Sequence, residues 1–134
     1  PPVQADRQQL RQLFLNLLAN ASDAMPQGGT LTIKAISNFK IQTPNSQAAV
    51  VVEITDTGAG IAPEDLPRVM EPFFTTKGEG KGTGLGLPIC RRIAEEHHGS
   101  LDISSAGAGK GATARLTLPL TNATNGKTLK ESQI

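Results

Sequence analysis

Several residue types tied to particular functions are scarce or absent in this sequence. Its 134 residues include one cysteine, two histidines, and neither tryptophan nor tyrosine. Because Cys90 is alone, no internal disulfide can form, which favours a reducing, cytoplasmic setting. The net charge is +1 and no basic cluster contains interleaved aromatic residues, which argues against a nucleic-acid-binding surface. No apolar run approaches the length of a membrane span and the N-terminus has no signal-peptide pattern, so we expect no direct membrane contact by this domain.

The length of the chain predicts one domain with its own hydrophobic core. We assign residues 1–120 to this domain and interpret the polar residues 121–134 as a disordered tail. The chain opens with PPVQAD, directly ahead of a candidate helix cap. We therefore expect it to be a piece of a longer protein.

Hydrophobic periodicity predicts an α+β domain. Apolar residues recur at helical spacing from Asp6, a candidate N-cap, to Met25, and again from Leu85 to His98, with Gly99 as the expected stop. The segments TLTIKAIS and AAVVVEITD predict strands, separated by a polar turn region, NFKIQTPNSQ. A short helix is predicted within TGAGIAPEDLPRVM, and a hairpin is predicted from SLDISS and GATARLTLPL. The expected architecture is a two-layer α/β sandwich, with a mixed sheet of four to five strands covered on one face by about three helices.

Three polar residues lie beside the apolar stripe of the first predicted helix. Asn16, Asn20 and Asp23 fall within about 60° of one another at ~100° per residue. Asparagine is a weak helix former, and amides next to a buried face need hydrogen-bond partners. Taken alone, these residues fit ordinary helix-surface amides, and a ligand site needs further support from the sequence.

The segment ITDTGAGI ends a buried strand with an acid that is followed closely by two glycines. An aspartate at a strand end often only caps the next turn. A buried carboxylate at Asp56 could also accept a hydrogen bond from an exocyclic amino group. Adenine carries a donor at its 6-position where guanine carries an acceptor, so such an aspartate would select ATP over GTP.

The stretch EPFFTTKGEGKGTGLGL, residues 71–87, has five glycines within residues 78–86 and leads into a helix. Free N–H groups and the dipole at a helix start favour phosphate. The stretch is not a P-loop, because Lys81 precedes Gly82 and not Ser or Thr, and no strand directly precedes it as a Rossmann fingerprint requires. A flexible linker is the alternative, but Lys77 and Lys81 favour an anion-binding lid.

The order of these motifs resembles the ATP-binding catalytic domain of sensor histidine kinases, whose fold is shared with DNA gyrase B, Hsp90 and MutL. The corresponding boxes are NLLANASDAM, DTGAG, EPFFTTK, GTGLGL and GAGKGAT, and the resemblance covers residues 4–120. EPFFTTK followed closely by GTGLGL is most similar to the nitrogen-regulation and C4-dicarboxylate sensor branch.

The resemblance implies a site for ATP and Mg²⁺. Asn20 would supply a carbonyl oxygen to Mg²⁺, and Asn16 would lie by the phosphates. Asp56 would bind the adenine amino group, partly through a water that Thr113 supports. Many histidine kinases carry Lys or Arg at the position of Asp23, so the γ-phosphate contact shifts to Lys77 or Lys81; we count Asn16, Asn20 and Lys77 as catalytic. The other residues implied in nucleotide binding are Gly58, Gly60, Ile61, Phe73, Thr75, Thr76, Gly82, Thr83, Gly84, Leu85, Gly86 and Leu87, with Phe73 and Phe74 as anchors of the lid.

The position one helical turn before Asn20 separates a kinase from an ATPase within this fold. The ATPase branch has a glutamate there that activates water, and a general base is worth about 10²–10⁴ in rate. This chain has Asn16, which cannot take a proton. The resemblance therefore implies a protein histidine kinase and not an ATPase like DNA gyrase B.

The phosphoacceptor histidine is not expected within this chain. His97 and His98 would lie ~20 Å from the phosphates, at the far end of the last helix at 1.5 Å per residue. The expected partners are the protein's own upstream dimerisation and phosphoacceptor domain and, indirectly, a response regulator. An ATP-gated interaction module and an anti-sigma-factor-type serine kinase stay open as alternatives. The stimulus, the cognate regulator and any anchoring of the whole protein in the inner membrane are left open.

Overall fold

The computed structural model of the chain describes residues 5–40, 48–72, 74 and 86–120. It contains two α-helices, a 3₁₀ turn and four strands in these residues. In chain order they are α1 Arg7–Asp23, β1 Leu31–Lys40, β2 Ala48–Asp56, the 3₁₀ turn Leu66–Arg68, α2 Gly86–Glu96, β3 Ser100–Ser104 and β4 Ala112–Pro119. Neither α-helix in the described part of the chain is long and apolar enough to cross a membrane. The predicted tail lies outside the described residues.

The four strands form one sheet in the order β1-β2-β4-β3. All three pairings are antiparallel, so the α+β class is confirmed, whereas the predicted mixed sheet is wrong for the described strands. The described sheet has no parallel pair because β4, the second strand of the β3–β4 hairpin, lies between β3 and β2 and is antiparallel to both. Strand β1 also runs to Lys40, into the segment predicted as a turn, with a register shift between Ile36 and Phe39.

Helix α1 begins as its sequence predicts. The Oδ1 atom of Asp6 accepts hydrogen bonds from the backbone N–H groups of Gln8 and Gln9, at 2.9 and 3.1 Å. These bonds satisfy two donors that have no partner inside the helix. The buried residues of α1 recur about once per helical turn and are Leu10, Leu13, Leu17 and Ala21. The apolar stripe thus fixes which side of α1 faces the sheet.

Both helices pack on the same face of the sheet, where the hydrophobic core lies. The core is made of α1, α2 and alternate sheet residues: Leu10, Leu13, Leu17, Ile54, Cys90, Ile93, Ala94, Leu101, Leu116 and Leu118. The intervening sheet residues point the other way and are mostly polar. On that second face Glu53 pairs with Arg115, with Nε and Oε2 3.7 Å apart.

Helix α2 ends at Glu96, two residues before its predicted end at His98. His98, and not Gly99, adopts the left-handed conformation, with φ of 64°. The N–H of His98 donates to the carbonyl of Glu95 and that of Gly99 to the carbonyl of Ala94, a closing pattern typical of helix C-termini. Gly99 is needed for another reason, because a Cβ there would collide with the carbonyl oxygen of Thr117 on β4.

Candidate functional site

An open cleft of about 870 Å³ lies at one end of the sheet. Its wall is built from α1, the end of β2 and the loop after it, residues 69 and 74, the start of α2, and strands β3 and β4. The described lining residues are Asn16, Leu17, Ala19, Asn20, Ala21, Asp23, Ala24, Pro26, Ile54, Asp56, Ala59, Gly60, Ile61, Val69, Phe74, Gly86, Leu87, Pro88, Ile103, Ala112, Thr113 and Ala114.

The fold brings most of the described predicted site residues to this cleft. Those that line it are Asn16, Asn20, Asp23, Asp56, Gly60, Ile61, Gly86, Leu87 and Thr113. Gly58 lies next to the cleft in the same loop, but it is not one of the described lining residues. The remaining predicted residues lie outside the described part of the chain: Phe73, Thr75, Thr76, Lys77, Lys81, Gly82, Thr83, Gly84 and Leu85.

Asp56 is the buried acid of the cleft. It is the last residue of β2, and only 9% of its surface is exposed. Its Oδ1 accepts a hydrogen bond of 2.9 Å from the N–H of Gly58. Oδ1 therefore serves the turn, as the simpler interpretation of the sequence has it, and Oδ2 is the second acceptor oxygen of this cleft-lining side chain.

The glycines after β2 allow close contacts between loops. A Cβ at Gly58 would collide with the carbonyl oxygen of Ala24, and one at Gly60, where φ is 68°, with that of Gly107. Two backbone hydrogen bonds hold the same loop in place, from Ala59 N–H to the Ala24 carbonyl at 2.8 Å and from Gly111 N–H to the Gly58 carbonyl at 3.1 Å. These glycines fix the floor of the cleft against α1 and the β3–β4 turn.

Thr113 does not occupy the place that its predicted role requires. Its hydroxyl is 3.0 Å from that of Thr55, with which it shares a hydrogen bond. Thr55 and Thr113 are register partners, and side chains alternate along a strand, so both hydroxyls lie on the face opposite Asp56. The residue beside Asp56 in the register is Ala112. The prediction that the Thr113 hydroxyl supports a water at Asp56 does not fit this placement.

The two histidines are structural in this fold. His97 is buried, and its Nε2 accepts a hydrogen bond of 2.9 Å from the N–H of Asp6. The proton of the ring must then be on Nδ1, which donates to the carbonyl of Ile93 at 2.7 Å. His98 is exposed in the turn after α2, whereas α2 meets the cleft at its first residues. Neither histidine is placed to react with a group bound in the cleft.

Asn16, on α1, also contacts helix α2. Its side chain hydrogen-bonds to Cys90 on α2, whose thiol is fully buried and lies 3.5 Å from the carbonyl of Leu13. Burial raises the pKa of the Cys90 thiol from 9.0 to about 11, against a smaller lowering by the Asn16 hydrogen bond. The thiol is therefore protonated at neutral pH and belongs to the packing between the helices.

We expect the free energy of unfolding to fall between pH 9 and 11 because of this thiol. The unfolded chain releases the proton near 9.0, while the folded chain keeps it up to about 11. The folded state thus binds more protons than the unfolded state over this interval. The free energy of unfolding therefore falls by about 2–3 kcal/mol by the upper end of the interval. Urea unfolding of the parent and of Cys90→Ala across this range measures the effect, since the lysines titrate alike in both. Parallel curves for the two proteins would contradict it.

The model of one protein family matches residues 5–122, nearly the whole chain. This is the family of histidine kinase-, DNA gyrase B- and HSP90-like ATPases. The chain belongs to this family. The resemblance inferred from the sequence motifs is thereby confirmed.

Two of the relatives to which the chain is similar within this family are named as kinases. The chain is 42% identical over 118 residues to sporulation kinase C of Bacillus subtilis, covering 88% of this chain and 25% of that protein. It is 41% identical over 120 residues to sensor histidine kinase ZraS of Escherichia coli, covering 90% and 23%. The chain thus spans about a quarter of the length of these relatives. The narrower likeness to nitrogen-regulation sensors stays a prediction.

Solved structures agree with this grouping. The catalytic domain of histidine kinase ThkA, in a nucleotide-free form, matches with a TM-score of 0.72 and 32% identity, over 90% of this chain and 73% of that one. The mycobacterial sensor histidine kinase MprB matches with a TM-score of 0.71 and 30% identity, over 87% and 74%.

Proposed function

We propose that this chain is the catalytic domain of a sensor histidine kinase in two-component signalling. It binds Mg·ATP in the cleft and passes the γ-phosphoryl group to a histidine on a dimerisation and phosphoacceptor domain of the same protein, from which a response regulator would receive it. Its family membership and its likeness to proteins named sensor histidine kinases support this function.

The observation that carries the proposal is the placement of Asp56 and Asn20 in one cleft. Asp56 offers a buried carboxylate oxygen, which suits the 6-amino group of adenine and repels the 6-carbonyl oxygen of guanine. Asn20 lies on the adjoining wall, one helical turn from Asn16. A buried acid and an amide on the adjoining wall thus line one cleft, which supports the proposal that one nucleotide contacts both of them.

The residues present also fit Mg²⁺ bound together with a nucleotide. The described residues contain no group of three or more His, Cys, Asp or Glu that could hold a metal ion without other ligands. The amide oxygen of Asn20 is a hard ligand of the kind that Mg²⁺ takes alongside phosphate oxygens and water. When bound, Mg²⁺ would neutralise charge on the phosphates.

Asn16 favours transfer to a protein over hydrolysis. Its amide cannot accept a proton from water, and it already hydrogen-bonds the Cys90 thiol. His97 is buried with both ring nitrogens engaged, and His98 lies in the turn after α2, whose first residues are the ones that meet the cleft. Both histidines of the chain are thus poorly placed as acceptors, which supports a histidine on another domain.

Transfer can be tested with γ-labelled Mg·ATP and the phosphoacceptor domain encoded with this chain in its own protein, supplied as a separate fragment. We expect label on that domain that is lost in acid and kept in alkali, which is the behaviour of phosphohistidine. Asn20→Ala is the matched negative control, because it removes the metal ligand from the same helix. Acid-stable label on a protein would indicate the serine kinase alternative. Nucleotide binding without any transfer would indicate the ATP-gated module.

A further inference from the structure

Three successive backbone hydrogen bonds join residues three apart from Asp65 to Phe74. Arg68 N–H donates to the carbonyl of Asp65 at 2.8 Å, Glu71 N–H to that of Arg68 at 2.8 Å, and Phe74 N–H to that of Glu71 at 3.2 Å. Bonds that span three residues place side chains three apart nearly above one another. Arg68, Glu71 and Phe74 therefore lie along one side of the segment.

Arg68 contacts both of the residues that follow it on this side. Its guanidinium carbon is 4.4 Å from the centroid of the Phe74 ring, within the range of a cation–π contact. Its Nε is 3.6 Å from Oε1 of Glu71, and both side chains are 54% exposed. An ion pair this exposed contributes little by itself. The same guanidinium thus lies against both Glu71 and the Phe74 ring.

The Phe74 ring belongs to the cleft and Arg68 does not. Phe74 lines the cleft, as does Val69, whereas Arg68 is not one of the described lining residues. Arg68 thus stands behind a wall of the cleft and touches the ring that forms it.

We propose that Arg68 is a positioning residue for nucleotide binding, which acts by holding the Phe74 ring in the wall of the cleft. The role rests on the proposed function, because it presupposes that the cleft takes Mg·ATP. Without the guanidinium, the ring can leave the wall, and the nucleotide has to restore the wall when it binds. The affinity for the nucleotide then falls by the free energy that the cation–π contact contributes to holding the ring in the wall.

The test is the Kd for Mg·ATP and Mg·ADP, measured by calorimetry on the whole chain. We expect Arg68→Gln to raise both Kd values about two- to fivefold, the size of an exposed cation–π contact, with the same ratio for the two nucleotides. Arg68→Lys keeps a cation over the ring and should stay closer to the parent. Arg91→Gln is the matched control, because Arg91 forms a similarly exposed pair with Glu95 at 3.4 Å, away from the described lining of the cleft.

A double-mutant cycle tests the route through the ring. In a Phe74→Leu background, Arg68→Gln should have no further effect on either Kd. An unchanged Kd in Arg68→Gln, or an equal loss with and without the ring, would overturn the positioning role. A loss confined to ATP would also overturn it, because that result indicates direct contact with the γ-phosphate. A parent chain that binds no nucleotide would remove the proposed function itself, and the role of Arg68 with it.

Discussion

Asp56→Asn should weaken the binding of Mg·ATP by about 100-fold while the domain stays folded. The carboxylate has two acceptor oxygens, one of which receives the Gly58 N–H at 2.9 Å. The adenine amino group needs the other, and an amide has only one oxygen for these two donors. Leaving one buried donor without a partner costs about 1–3 kcal/mol, and more where the lost acceptor was charged. Removal of a negative charge from the cleft would by itself favour a polyanionic ligand, so a loss of affinity must come from the lost acceptor.

The matched control for this substitution is Asp102→Asn. Asp102 is an exposed residue of β3, away from the described lining of the cleft, and its change should leave the Kd for Mg·ATP unaltered. Calorimetry gives the affinities, and thermal unfolding of both variants checks the fold. The preference for ATP over GTP should also shrink in Asp56→Asn, because an amide can donate to the 6-carbonyl oxygen of guanine. An Asp56→Asn protein that binds ATP as tightly as the parent does would contradict this role of Asp56.

Asn16→Glu should raise the rate of ATP hydrolysis about tenfold. The substitution puts a carboxylate one turn from Asn20 on the same wall of the cleft, where a bound nucleotide would meet water. A full general-base effect is about 10²–10⁴, but the water is not otherwise positioned in this chain, so we expect the lower figure. Glutamate favours the helix more than asparagine does, so folding should survive. Because the new charge can weaken ATP binding, the rates are compared at saturating nucleotide.

Asn16→Gln separates the carboxylate from the change in shape. Glutamine matches glutamate in length, and both replace the Asn16 amide that now contacts Cys90. Only glutamate can take a proton from water. Steady-state phosphate release should therefore rise in Asn16→Glu and stay near the parent rate in Asn16→Gln. An equal rate in both variants would mean that the missing base is not what limits hydrolysis.

Local patterns in the sequence predicted the elements that carry the core. Strand β2, Ala48–Asp56, has the bounds that its apolar run indicates, and α1 begins after the predicted cap at Asp6. Both signals are local, since burial periodicity and a capping side chain act within one or two turns. The placement of Asn16, Asn20 and Asp56 around one cleft followed from the resemblance, because no local pattern indicates which helix lies beside which strand end.

The structure differs from the sequence prediction at Thr113 and at His98, and both differences have identifiable physical causes. The outward direction of the Thr113 hydroxyl could have been inferred from β4 itself, because Leu116 and Leu118 are core residues and position 113 has the opposite parity. The left-handed conformation of His98 could not, because Gly99 is the better residue for that conformation and is required instead by its close approach to Thr117. The contact of Arg68 with Phe74 likewise depends on the successive turns that follow the 3₁₀ turn, and no hydrophobic periodicity in the sequence indicates it.

The most direct test of the cleft as an adenine nucleotide site is the pair of Kd values for Mg·ATP and Mg·GTP on the parent chain. Calorimetry under identical salt and magnesium concentrations gives both values. If Oδ2 of Asp56 accepts the 6-amino group, ATP should bind at least ~10-fold more tightly, because guanine presents an acceptor to a buried carboxylate. Equal affinities for the two nucleotides would contradict the assignment of Asp56 and of the cleft around it.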